Sequence, residues 1–204
     1  MELREALIQI TEIRAQMART EVFRGYRALP VAITGLLAVA ASGLQGALIA
    51  DPSAQVDAYL TLWVATAGLS AAAAGAGMWL RRRGLQTSLG REVTWLAVEQ
   101  FMPCLVAGGL LTAVLAKTAP GSLWLLPGLW QLFFSLGVFA SCRLLPRATV
   151  AVALFYLAAG GASLALARGE HAFSPWAMGV PFGVGQLLAA AVLYWNLERN
   201  DGDL

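Results

Sequence analysis

The sequence is poor in everything a soluble enzyme uses. Charged residues make up 13% of its 204 residues, and there are two cysteines, one histidine and no Cys-x-x-Cys pair. A soluble domain carries about twice that share of charge. Two cysteines exclude a disulfide scaffold, a thioredoxin-like redox pair and a cysteine zinc site. A single histidine, His171, excludes a histidine metal cluster and leaves the apolar runs without an imidazole base. The Gly68-Leu69-Ser70-Ala71 stretch therefore lacks the base that an intramembrane serine nucleophile needs. There is also no His-Glu-x-x-His, no paired acids for acid/base work and no phosphate-binding glycine loop. The reading is that of a chain without catalytic residues, metal or cofactor.

What fills the space is hydrocarbon: 58% of residues are hydrophobic and the mean hydropathy is +0.66. Six apolar runs stand out, at 29–50, 59–80, 95–115, 123–140, 149–167 and 176–195. Each is close to the roughly 20 residues that cross about 30 Å of hydrocarbon. Backbone N–H and C=O groups in lipid must be satisfied within the segment, so runs of this kind are helices. The expected fold is all-α: a polytopic six-helix transmembrane bundle spanning 29–197, with a short tail at 198–204. The connecting loops are short, which predicts antiparallel neighbours.

Residues 1–28 differ from the rest. Leu3, Ala6, Leu7, Ile10, Ile13 and Met17 recur at steps of three and four, with Glu5, Gln9, Glu12, Gln16 and Arg19 opposite. This predicts an amphipathic helix, too charged to span a membrane, lying on the cytoplasmic surface or pairing with a protein partner or a second copy.

Orientation is read from the basic residues. With the N-terminus inside, twelve of the fourteen Lys and Arg fall in inner segments, and only Lys117 and Arg168 fall outside. The positive-inside rule then puts both termini in the cytoplasm, in a multi-pass protein of the inner membrane. Trp95, Trp124, Trp176 and Trp195 fall at the expected interfaces. The triplet Arg81, Arg82 and Arg83 is placed to contact anionic lipid headgroups or to fix topology. The basic residues are scattered along one membrane face, a distribution that excludes a nucleic-acid site.

Few polar side chains lie inside the runs. Glu99 is the one acid, a turn into the third run, followed by Gln100 and then Pro103. An intramembrane acid is a functional candidate by default, although at this depth it can also reach headgroups or a nearby arginine. Gln131 and Gln186 sit deeper, and Gln45 lies toward the outer face. Amides at such depth hydrogen-bond between helices or line a cavity. Pro127 and Pro181 precede the two deep amides, and each frees a carbonyl one turn back. Broken helices beside polar side chains are one way transporters build midplane sites. Two functions follow: a non-enzymatic interaction or regulatory subunit, or a small transporter or channel using Glu99, Gln100, Gln131 and Gln186.

Two further patterns concern packing. Ser70 to Gly77, Gly108-Gly109 and Gly160-Gly161 offer small faces for close helix approach, within the chain or between chains. A faint repeat links LWLLPGLWQLFFSLG with PWAMGVPFGVGQLLA, and TEVFRGYRALP with REVTWLAVEQFMP, as three duplicated hairpins would.

Overall fold

The computed structural model describes residues 28–84, 88–167 and 171–198. The amphipathic segment expected at 1–28 therefore lies outside the described residues but for its last position. Six long helices follow one another: α1 (Ala28–Leu48), α2 (Val56–Gly84), α3 (Ser88–Thr118), α4 (Leu126–Ser141), α5 (Thr149–Leu166) and α6 (Pro175–Leu193). A 3₁₀ segment, Pro120–Leu125, leads into α4, and a π-helical turn, Tyr194–Glu198, extends α6. The described chain is all-helical and holds no strand, and all six helices are long and apolar enough to cross a membrane.

Local chemistry sets where the helices begin. Pro30 stands in the first turn of α1 and Pro175 at the first position of α6, where a missing N–H costs nothing. Pro127 has no N–H to give the Leu123 carbonyl, but the Leu126 N–H takes that carbonyl, and the chain passes from the 3₁₀ segment into α4. The turn before α2 is fixed by Asp51, whose carboxylate accepts from the Ser53 N–H at 3.0 Å, the Ser53 hydroxyl at 2.5 Å and the Ala54 N–H at 3.1 Å. The Ser53 hydroxyl, then the backbone bonds, hold this carboxyl below its ordinary value.

The helices assemble as two units of three. α1 packs most extensively on α6, with α2 on its flank; α4 packs on α5, with α3 on its flank. Both central pairs cross on glycine. A Cβ on Gly128 would lie 2.9 Å from the Gly160 carbonyl oxygen and 2.6 Å from Leu164 Cγ. A Cβ on Gly183 would lie 2.7 Å from Val39 Cγ2, and one on Gly35 would lie 3.2 Å from the Gly183 oxygen. Backbones this close gain dispersion contacts without any hydrophobic driving force from water.

Among the described residues α2 and α3, neighbours in sequence, barely meet. Each is held along one stripe: Tyr59, Trp63, Thr66, Ser70, Ala73 and Gly77 in α2, and Phe101, Cys104, Gly108, Leu111, Thr112 and Leu115 in α3. The span Val98–Thr118 is 6% buried, against 44% for Pro120–Ser141. A short connection thus does not make these two helices packed neighbours. Glycine crossings join α1 to α6 and α4 to α5, and α2 and α3 lie on the flanks of the two pairs.

The two ends of the bundle differ. At the end bearing the 171–174 segment, Ala38, Ala41, Tyr59, Trp63, Leu123, Leu126, Phe173 and Met178 share one buried cluster. We call this the strap end. Toward the end bearing Arg143 and Arg147, Val31, Ala190 and Leu193 form a second buried cluster with Leu145 against it, and among the described residues Leu144, Val152 and Ala153 are buried there as well. We call this the arginine end.

Candidate functional site

The deep amides decide what the interior can do. Gln131, on α4, is fully buried. Its Nε2 donates to the Ala177 carbonyl of α6 at 2.8 Å, and its Oε1 accepts from the Ser163 hydroxyl of α5 at 3.4 Å. Ala177 lies four residues before Pro181 inside the same helix. A proline has no N–H to return to that carbonyl, so the side chain of another helix supplies the missing donor. The freed carbonyl was legible from Pro181; the residue that fills it was not.

Gln45 plays the same part at the strap end. It is fully buried, donates through Nε2 to the Phe173 carbonyl at 2.6 Å and accepts from Trp63 Nε1 at 2.8 Å. Ser42 adds a bond to the Pro175 carbonyl at 2.9 Å. Two side chains of α1 thus strap the α5–α6 connection down onto the bundle.

Trp130 Nε1 donates to Thr112 Oγ1 at 2.8 Å, and that hydroxyl donates on to the Gly108 carbonyl. Both tryptophan bonds span 18 residues and tie the second helix of a hairpin to its first. The α1–α2 and α3–α4 hairpins are thus stapled alike, although the acceptor is an amide in one and a hydroxyl in the other. The third hairpin uses a different contact: the Tyr156 ring of α5 lies over Gly185 of α6.

Gln186 sits where α1 and α6 cross, against Gly35, with the Tyr156 hydroxyl as a polar neighbour. The two do not achieve hydrogen-bond geometry, and the Tyr156 hydroxyl is buried without a partner. Around it the rings interlock: Tyr156 to Phe134 at 4.7 Å, Tyr156 to Phe182 at 5.4 Å, Phe134 to Phe182 at 5.5 Å and Phe101 to Phe134 at 5.2 Å. Sequence reasoning passed over Tyr156. Its one signal is a phenol beside Phe155 in the middle of the fifth run.

Glu99 stands on the exposed side of α3, while Gln100 is half-buried with its Oε1 enclosed and without a partner. Among the described residues no hydrogen bond joins any two of Glu99, Gln100, Gln131 and Gln186. Gln131 and Gln186 both belong to the zone where the two three-helix units meet. Glu99 faces outward. Arg81, Arg82 and Arg83 lie in the last turn of α2, and their side chains fall outside the described residues. His171 is exposed at the strap end, and no group of three metal-ligating side chains occurs among the described residues.

No family model, no curated protein and no solved structure matches this chain. The six apolar helices are compatible with an integral membrane protein, and function must be argued from the geometry alone.

Proposed function

We propose that the chain is a non-enzymatic interaction or regulatory subunit of a membrane, anchored by six spans, with both termini on the cytoplasmic side of the inner membrane. The observation that carries this reading is where the deep amides go. Gln45 and Gln131 each spend both ends of the amide on other helices. Such side chains specify packing rather than bind substrate. The recruiting element in this reading is the apolar stripe of residues 1–28, and Arg81, Arg82 and Arg83 hold the cytoplasmic end of α2 at anionic headgroups.

Photo-crosslinkers placed at Leu7 and Ile10 in native membranes test it. One defined protein adduct, or a dimer of the chain, is expected at both positions. A version lacking residues 2–27 should still insert and should lose the complex on solubilisation. Adducts with lipid alone would count against the reading.

A second reading, a small transporter, has one observation in its favour. Gln100 Oε1 and the Tyr156 hydroxyl beside Gln186 are enclosed polar atoms without partners. In that reading Glu99→Gln abolishes cation- or proton-coupled uptake by proteoliposomes. Uptake no higher than that of empty liposomes for the unaltered protein, across a broad panel of solutes, would sink it.

A further inference from the structure

Glu99 is the one acid in the six runs, and it stands on the exposed side of α3. Acids inside a membrane turn almost always toward the bundle interior, a wet cavity or a basic partner. This one turns outward.

Its depth follows from the register of α3 on α4. A Cβ on Gly137 would lie 2.6 Å from Phe101 Cε2, and one on Gly108 would lie 4.0 Å from Trp130 Cδ1. The two helices are antiparallel, with Phe101 opposite Gly137 and Gly108 opposite Trp130, so Glu99 stands level with Phe139, inside the apolar stretch of α4. Arg143 comes only after α4 has ended at Ser141, about 6 Å nearer the arginine end. Trp95, expected at the interface, precedes Glu99 by one turn. The carboxylate is therefore placed among acyl chains, below the arginines that meet the headgroups.

None of the six runs contains a lysine or an arginine. Neither this chain nor a second copy of it can set a cation from one of its spans beside Glu99. Arginines at the interface reach out to headgroups rather than into hydrocarbon. The rest of the face is apolar: steps of three and four put Met102, Val106, Leu110 and Val114 on the same side of α3 as Glu99, all of them exposed. These side chains suit lipid or an apolar helix equally. The carboxylate suits neither, unless that helix brings the opposite charge.

We infer that this face of α3 docks a transmembrane helix of a different protein, whose span carries a lysine or arginine level with Glu99. The inference rests on the reading of the chain as an interaction subunit and adds a contact inside the membrane, separate from residues 1–28. The apolar ridge supplies area, and the ion pair supplies the choice of partner and the register.

Photo-crosslinkers at Val106 and Leu110 of the full chain in native membranes test this, with Leu154, exposed on α5, as the control position. One protein adduct is expected at the first two positions and not at the third, and the captured protein should carry a lysine or arginine within a span. Glu99→Gln keeps the shape and removes the charge, and it should cut the adduct about tenfold or more, while Glu99→Asp should keep it. Glu99→Lys should abolish the adduct, and an acid in place of the captured protein's basic residue should restore it. Adducts with lipid alone, with a second copy or with residues 2–27 of the same chain would overturn the inference, as would a protein adduct that Glu99→Gln leaves unchanged. Glu99 is exposed, so its variants lose no core packing. The adducts at Leu7 and Ile10 report residues 1–28 separately, so failure at one surface is distinguishable from failure at the other.

Discussion

The α4–α5 pair and the α2–α3 pair are both joined by short connections, and both carry glycine, yet among the described residues only the first packs extensively. In α4–α5, Gly128 and Gly160 face each other so closely that each lies within van der Waals reach of the other's carbonyl. In α2–α3, Gly68, Gly75 and Gly109 face open space. The two outward faces also differ. That of α3 carries Met102, Leu105, Val106, Leu110 and Val114, side chains that suit lipid. That of α2 is mostly alanine and glycine, with Val64 and Leu69 among them. Glycine content therefore says that a backbone approach is possible; geometry elsewhere in the bundle decides whether it occurs.

The largest effect should come from filling a crossing. Gly160→Leu places a branched side chain where Leu132 and the Gly128 carbonyl already stand. Neither can retreat, because α4 and α5 are also joined by the Ser135 hydroxyl on the Ala153 carbonyl at 2.8 Å. A loss of about 3 kcal/mol or more is expected, at the upper end of overpacking costs. Reversible denaturant unfolding in detergent, followed by tryptophan fluorescence, measures it. The adjacent Gly161→Leu faces open space and serves as the control. Equal losses at both positions would erase the distinction between a packed and an open glycine.

An intermediate effect belongs to the broken helix. Gln131→Leu leaves the Ala177 carbonyl without a donor, at a cost of about 1–3 kcal/mol. Pro181→Ala should restore the N–H that this carbonyl lacks. The amide and the proline are then coupled: in the Pro181→Ala background, Gln131→Leu should cost no more than half as much. Strict additivity in the double-mutant cycle would mean that the amide has some role other than repairing the helix.

This pair shows how far the sequence could be read. The six helices were legible because a backbone in hydrocarbon has no other way to satisfy itself, and six runs of suitable length announce that directly. Pro181 announced a freed carbonyl at Ala177. What it could not announce was a partner 46 residues away on α4, because helix pairing is fixed by three-dimensional fit. The same limit applies to the small residues. The alanine-rich run of α2 looks like the best packing face in the chain, yet of its two glycines Gly77 lies close to Pro30 while Gly75 faces open space. Of each double glycine, one member packs and its neighbour does not: Gly108 meets Trp130 and Phe133 while Gly109 meets nothing, and Gly160 meets Gly128 while Gly161 meets nothing. Helical phase distinguishes the members, but only once the partner helix is known. Glu99 shows a related limit. Its depth in the third run was readable, but its turn to the exposed side of α3 depended on which face α4 would take.

The smallest effect sharpens the contrast from the open side. Gly68→Ala adds a methyl group with nothing within 4 Å of it, in the middle of a helix already continuous from Val56 to Gly84. Alanine restricts the unfolded chain more than glycine and has no contact to lose here, so stability should rise slightly, by about 0.5–1 kcal/mol. The same change at Gly183, where the new carbon would stand 2.7 Å from Val39 Cγ2, should lower stability instead. The sign, not the size, is the measurement. If Gly68→Ala also destabilised the chain in nanodiscs, that face of α2 would be in contact with another helix, and the open flank would be an interface between copies of this chain or with a partner.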